Sequence, residues 1–76
     1  MARYRANKNL KERRTGTYTQ KEMTALLNIE LQKEYTRPWY ARIEAGTKTA
    51  SANAAVAIAR LLEVDLEEIF ENSETN

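Results

Sequence analysis

Hydrophobic residues recur along much of this sequence at spacings of three and four, the period of one helix face, and start and stop signals divide the chain into five predicted helices. The first predicted helix covers residues 7–14 and ends at Thr15 and Gly16, because glycine readily adopts the left-handed conformation found beyond helix ends. The second begins at Thr19, which forms a capping box with Glu22. Its inner face carries Met23, Leu26, Leu27 and Leu31.

The third and fourth predicted helices have their own start and stop signals. Thr36 caps the third, which ends at Gly46 and has Pro38 in its first turn, where the missing N–H costs nothing. Its inner face carries Tyr40 and Ile43. Ser51 caps the fourth helix, in which four apolar residues recur at helical spacing: Ala55, Ile58, Ala59 and Leu62.

The fifth predicted helix begins with a second capping box, formed by Asp65 and Glu68, and its inner face carries Leu66, Ile69 and Phe70. Residues 1–6 are expected to be a basic N-terminal arm, and residues 71–76 a polar tail. The chain has only two glycines and one proline in 76 residues, so breaks between helices are few. The predicted fold is a single all-α domain, a compact five-helix bundle over residues 1–76.

Composition excludes several kinds of chemistry. The chain has no cysteine and no histidine, so it lacks the ligands of an ordinary zinc site and a histidine base. Its longest apolar run, residues 54–59, is far shorter than the ~18 residues that indicate a membrane span. We therefore expect a cytoplasmic, non-enzymatic protein with no cofactor, no metal and no small-molecule substrate.

Charge is divided unevenly along the chain. Residues 1–48 carry eleven Lys and Arg against five Glu, a net charge of +6, whereas residues 49–76 carry one Arg against six acids, a net charge of −5. Such a division is typical of a polyanion-binding protein, whose affinity falls with salt. A lopsided solvated surface without a partner is the alternative interpretation of the charge alone.

Three short motifs follow one another in the sequence: Thr19-Gln20, the RIEAG segment at residues 42–46 and the VDLEEIF segment at residues 64–70. In this order and spacing, residues 7–70 resemble the phage-repressor (Cro/CI, Xre) helix-turn-helix family. The resemblance implies a lambda-repressor-like domain that binds double-stranded DNA sequence-specifically. It also implies a transcriptional regulator, a repressor that binds a palindromic operator as a homodimer.

The resemblance makes the third helix a recognition helix, whose first side chains meet base edges in the major groove. The family's base-reading positions fall on Arg37, Pro38 and Arg42. Arginine can donate two hydrogen bonds to guanine O6 and N7, whereas Pro38 departs from the polar residue usual there and can make only van der Waals contact. Thr36 and Trp39 share the first turn and are expected at the bases too. The alternatives are ordinary exposed arginines, an Arg42 salt bridge, and a Trp39 that packs with partial exposure.

Other residues are assigned to the DNA backbone by the same resemblance. Gln20 falls where family members hydrogen-bond a phosphate at a helix N-terminus, although glutamine there is also simply a good helix former. Arg3 and Arg5 are expected to track phosphates or the minor groove, or to belong to a disordered basic start. Glu44 is expected to tie the third helix to its surroundings. The loop after that helix offers two hydroxyls and one ammonium to phosphate oxygens: Thr47, Lys48 and Thr49.

The chain departs from the family between the second and third helices, where residues 28–35 include an insertion. This segment is expected either to lengthen the second helix or to add a short helical turn. Ile29, Leu31 and Tyr35 would pack it onto the domain. The insertion could bring Lys33 and Tyr35 near the DNA backbone.

Leu66, Ile69 and Phe70, with the exposed part of the fifth helix, are the expected dimer surface, and a purely core role is the alternative. Within DNA binding, the alternative functions are an antitoxin, a restriction-modification controller, or an excision or copy-control factor of a mobile element. In another class, the chain would be a non-catalytic protein-interaction module that binds a basic partner with its acidic C-terminal half.

Overall fold

Residues 2–73 are the part of the chain that the computed structural model describes, and they form five helices and three short strands. The elements in chain order are β1 (Arg3–Ala6), α1 (Lys8–Thr15), α2 (Gln20–Leu31), α3 (Arg37–Ala45), β2 (Ala50–Ser51), α4 (Ala52–Leu62), α5 (Leu66–Ile69) and β3 (Phe70–Asn72). The five predicted helices are therefore present. The expectation of an all-α fold is wrong, because an antiparallel sheet accompanies them.

Local capping chemistry sets the starts of α2, α3 and α4. Thr19 accepts from the Glu22 backbone N–H at 3.1 Å, and the Glu22 carboxylate accepts from the Thr19 N–H at 2.8 Å, so the predicted capping box is confirmed. Thr36 and Ser51 cap their helices with similar hydrogen bonds. Gly46 ends α3 in the left-handed conformation, with φ of 80°. These four starts and stops agree with the sequence prediction.

Two details of the predicted helix signals are wrong, although α1 ends at Thr15 and α5 begins after Asp65 as expected. Gly16 follows α1 with φ of −77°, in the right-handed region, so this position does not use the conformational freedom of glycine. Asp65 precedes α5 but its side chain makes no capping hydrogen bond, and α5 has only four residues. The chain leaves the helix at Phe70 because it pairs there with β1.

The sheet joins the two ends of the described chain. β1 is the central strand and pairs antiparallel with β2, in the register Tyr4 to Ala50, and with β3, in the register Ala6 to Phe70. The expected N-terminal arm and the first part of the expected tail are therefore strands, while Met1 and residues 74–76 of those two segments lie outside the described residues.

The core lies between the helices, with the sheet at one side. Its largest fully buried side chains are Leu10, Met23, Leu27, Tyr40, Ile43, Ile58 and Ile69. Ile69 and Phe70 are buried within the monomer, and Leu66 is partly buried against the core, so the core alternative holds and Ile69 and Phe70 are not a dimer surface. Ile29 was expected to pack but is 76% exposed. Within residues 2–73, every helix is too short or too polar to cross a bilayer.

Deletion of residues 1–6 tests whether this segment is a strand or a free arm. We expect the free energy of unfolding to fall by about 2–4 kcal/mol, because several backbone hydrogen bonds worth about 1 kcal/mol each are lost together with packing. Urea denaturation measures the change. Replacement of Arg3 and Arg5 by Gln keeps the strand and should lower the free energy of unfolding much less. A deletion that lowers it no more than this control does contradicts the presence of β1.

Candidate nucleic-acid interface

One face of α3 is exposed and basic. Tyr40, Ile43 and Glu44 point inward, whereas Pro38 and Arg42, which are spaced by about one turn, lie on the opposite, exposed face. Arg37 is exposed as well, as the first residue of the helix. Arg42 makes no salt bridge or side-chain hydrogen bond with any residue from 2 to 73. The face that carries the predicted base-reading arginines is therefore open to a ligand.

Glu44 is the only acid between residues 36 and 49, and it is buried against Arg14. The Arg14 guanidinium donates to both carboxylate oxygens, at 2.7 Å and 2.8 Å, and a further N–H donates to the Tyr18 carbonyl at 3.1 Å. The two side chains are 10% and 4% exposed. Because this carboxylate is turned inward and neutralised, α3 and its following loop present only the positive charges of Arg37, Arg42 and Lys48 to solvent.

The buried pair of Arg14 and Glu44 shifts the pKa values of both its own groups and the pKa of the neighbouring Tyr40. Burial opposes ionisation of Glu44, but hydrogen bonds from Arg14 and Gln20, together with the charge of Arg14, hold its pKa below the usual value of 4.5. The hydrogen bond to Glu44 raises the pKa of Arg14. Burial, followed by the negative charge of Glu44, raises the pKa of Tyr40 far above its ordinary range. The Tyr40 hydroxyl is therefore neutral, and it has no hydrogen-bond partner among the described residues.

Gln20 connects this buried pair to the exposed face of α3. Its amide nitrogen donates to Glu44 Oε1 at 3.2 Å, and its amide oxygen accepts from Arg37 Nη1 at 3.3 Å. The residue expected to contact a phosphate thus already has two partners inside the protein. A continuous polar chain runs from Arg14 through Glu44 and Gln20 to Arg37.

Residues 28–35, where an insertion was expected, extend α2 and then hold the start of α3. The helix runs to Leu31 and is followed by Gln32 in the left-handed conformation, which confirms the first of the two predicted forms. The Asn28 amide then donates to the Tyr35 carbonyl at 3.0 Å and accepts from the Tyr35 N–H at 2.8 Å. The Tyr35 ring stacks on Trp39 at 3.6 Å with an interplanar angle of 5°, so Trp39 packs with partial exposure. Lys33 is exposed.

The loop after α3 is held by the strand that was expected to be an arm. Arg3 donates to the Thr49 hydroxyl at 3.0 Å and to the Thr49 carbonyl at 2.7 Å, and Arg5 donates to the Gly46 carbonyl. The Thr47 hydroxyl donates to the Arg42 carbonyl at 3.3 Å. The Lys48 backbone N–H donates to the Arg42 carbonyl at 3.3 Å, but its exposed side chain makes no hydrogen bond or ion pair with the described residues, so its ammonium is the loop's available cation.

Sequence reasoning missed Arg14 and the contacts of Gln20. A usable signal was present, because Glu44 lies on the same helix face as Tyr40 and would be buried there, and a buried carboxylate needs a cation. Arg14 lies four residues after Leu10 and so shares the buried side of α1. Sequence spacing did not identify this partner, which is 30 residues away.

Comparison of the chain with protein-family models, with curated proteins and with solved structures finds no match. The interpretation of the site therefore depends on its own geometry. The geometry consists of an exposed helix face with two arginines, a loop lysine beyond it, and hydrogen bonds that hold both ends of the helix.

Glu44→Gln should be strongly destabilising, whereas the matched change Glu30→Gln should not. The first leaves Arg14 buried without its counter-charge, which costs about 3–5 kcal/mol. The second breaks a surface pair with Arg60, whose side chains are 67% (Arg60) and 38% (Glu30) exposed, and costs at most about 1 kcal/mol. Urea denaturation at pH 7 measures both free energies of unfolding.

The comparison of the wild type with Glu44→Gln also gives a pH test. Because the folded-state pKa of Glu44 is lowered, its stabilisation is complete above about pH 4.5 and is lost as the pH falls through the folded value. The difference in unfolding free energy between the wild type and Glu44→Gln should therefore shrink when the pH is lowered from 7 to 3. A difference that stays constant contradicts ionisation of Glu44 as its source.

Proposed function

We propose that this protein is a sequence-specific double-stranded DNA-binding regulator that reads bases with α3. The observation that carries the proposal is the exposed face of α3 with Arg37 and Arg42, in a segment whose one acid, Glu44, is buried and neutralised. A helix of this size fits the B-DNA major groove, and its exposed side chains then meet base edges. Two unopposed arginines suit both the negative potential of the groove and the acceptor atoms of guanine.

Within this proposal, the residues of α3 divide by chemistry. Arg37 and Arg42 donate to base edges, and the exposed Pro38 ring offers van der Waals contact to a thymine methyl group. Thr36 uses its hydroxyl oxygen as the helix cap but keeps its O–H as a donor. Trp39 packs on Tyr35 and shapes the edge of the interface.

Affinity would come mainly from contacts to phosphates. Lys48 supplies the available cation of the loop, and the Thr49 hydroxyl, which accepts from Arg3, keeps its own hydrogen for a phosphate oxygen. Arg3 and Arg5 act here chiefly by holding that loop. Release of counterions from these phosphates makes the binding strongly dependent on salt.

The finer part of the proposal follows from the resemblance to phage repressors. A single module of this size offers a small interface, and two-fold dimers on palindromic sites are the usual remedy. We therefore propose a lambda-repressor-like, cytoplasmic, non-enzymatic repressor that needs no cofactor and binds its operator as a homodimer. The dimer surface must lie outside Ile69 and Phe70, which are buried in each monomer.

Selection of bound sequences from random duplex DNA tests the proposal. We expect one preferred sequence with two-fold symmetry and half-sites about one helical turn, or ~10 bp, apart. Recovery of a single asymmetric half-site contradicts the dimer. Recovery of no preferred sequence contradicts sequence-specific binding, and favours a protein-interaction role for the acidic half of the chain.

Arg37→Ala and Lys48→Ala should weaken DNA binding in different ways. Loss of Arg37 should cost about 1–3 kcal/mol on the selected site and much less on random DNA, because a base contact is lost. Loss of Lys48 should weaken binding to all sequences alike and reduce the salt slope by about one per site, because a phosphate contact is lost. Fluorescence anisotropy titrations at several salt concentrations measure both, and equal effects of Arg37→Ala on the two DNAs contradict base reading by this residue.

A further inference from the structure

We infer that the Tyr35 hydroxyl donates a hydrogen bond to a DNA phosphate beside α3. The inference rests on the proposed function and adds a contact from the segment between α2 and α3. Three observations carry it. The Tyr35 backbone is fixed by Asn28, its ring is stacked on Trp39, and its hydroxyl has no hydrogen-bond partner among residues 2–73.

The stacked pair lies on the flank of α3 that faces away from Gln20. Successive residues of a helix are about 100° apart around its axis, so Arg37 and Trp39 lie on opposite sides of Pro38. Gln20 occupies the side of Arg37, from which it accepts a hydrogen bond at 3.3 Å. Tyr35 covers the other side through its ring contact with Trp39.

Each flank of a helix in the major groove of DNA faces one phosphate backbone. The groove is about 12 Å wide and a helix with its side chains is about 10–12 Å across, so the helix lies close to both walls of the groove. When the exposed Pro38 and Arg42 meet base edges, the flank that carries Tyr35 and Trp39 therefore faces a row of phosphates.

The Tyr35 side chain is in position before DNA binds. Asn28 donates to the Tyr35 carbonyl at 3.0 Å and accepts from its N–H at 2.8 Å, which fixes the backbone. The ring is parallel to that of Trp39, with the centroids 3.6 Å apart, which fixes the apolar body of the side chain. Tyrosine carries a polar tip on this apolar body, so the packed ring holds an unused O–H donor. A donor that is already held loses little conformational freedom on binding.

Charge alone does not favour a phosphate on this flank. Lys33 and Glu34 are both exposed and have opposite charges, so together they add no net attraction. A hydroxyl is a neutral donor that suits a phosphate oxygen without this attraction. The contact should therefore add affinity for every sequence and leave the salt slope unchanged, because phosphates carry no sequence information and the slope counts the cations that displace counterions.

The test uses Tyr35→Phe, which removes the hydroxyl and keeps the ring that stacks on Trp39. Tyr4→Phe is the matched control, because Tyr4 is a half-buried tyrosine of β1 whose hydroxyl also makes no hydrogen bond within residues 2–73. Lys33→Gln tests the neighbouring cation. Fluorescence anisotropy at several salt concentrations measures the affinity of each variant for the selected site and for random duplex DNA.

A second measurement uses Trp39, the only tryptophan of the chain. Free Tyr35→Phe should keep the tryptophan emission of the wild type, which shows that the ring stack is retained, and circular dichroism checks the fold. Acrylamide should quench Trp39 of the wild type less when the selected duplex is bound, because DNA then covers this flank. This measurement needs no variant.

We expect Tyr35→Phe to weaken binding to selected and random DNA alike, roughly three- to tenfold per half-site, the value of one net hydrogen bond. Its salt slope should equal that of the wild type. Tyr4→Phe should change neither the affinity nor the slope, and Lys33→Gln should leave the slope within about half a unit of the wild-type value.

Four outcomes would overturn the inference. Unchanged affinity in Tyr35→Phe shows that the hydroxyl makes no contact with DNA. A larger loss on the selected site than on random DNA makes Tyr35 a base contact. A salt slope reduced by about one per site in Lys33→Gln, with Tyr35→Phe unaffected, assigns the phosphate to Lys33. Unchanged quenching of Trp39 in the complex places this flank away from DNA. A wild-type protein with no preferred sequence instead contradicts the proposed function, and this failure is recognised before any variant is made.

Discussion

The arrangement of the helices depends on the buried ion pair between Arg14 and Glu44. It joins α1 to α3 across 30 residues of sequence, and the same two side chains hold the Tyr18 carbonyl and the Gln20 amide. A buried charge is tolerated only with its counter-charge and with its remaining hydrogen-bonding groups satisfied. Other rotations of α3 would leave Glu44 or Arg14 unpaired, so the pair selects the face of α3 that points to solvent.

Helices and sheet differ in how far the sequence predicts them, because their signals act over different distances. The capping residues Thr19, Thr36 and Ser51 each accept from a backbone N–H three residues away, so short motifs were sufficient. β1 has only four residues, and it pairs with segments more than 40 residues away. No local alternation identifies so short a strand, and for the same reason Phe70 was assigned to a helix.

The same difference between local and long-range signals applies to the residues of the candidate site. The exposure of Arg42 follows from helix periodicity, that of Arg37 from its place at the start of the helix, and that of Lys48 from the stop at Gly46, and all three signals are local. The partners of Gln20 and the hydrogen bonds of Arg3 to Thr49 depend on tertiary packing, and sequence spacing contains no record of them. The sequence therefore shows which side chains carry hydrogen-bond donors, but not which of those donors already have partners inside the folded protein.

Both ends of α3 are held by neighbouring segments of the chain, and one of them, β1, was expected to be an arm. At its start, Asn28 fixes the backbone of Tyr35, whose ring stacks on Trp39. At its end, β1 holds the following loop through Arg5 at the Gly46 carbonyl. A helix held at both ends loses less conformational freedom on binding than one between flexible segments, so more of each contact appears as affinity. Residues 28–35 and β1 therefore have the same physical effect, which is to restrict the position of α3 and of the exposed arginines that it carries.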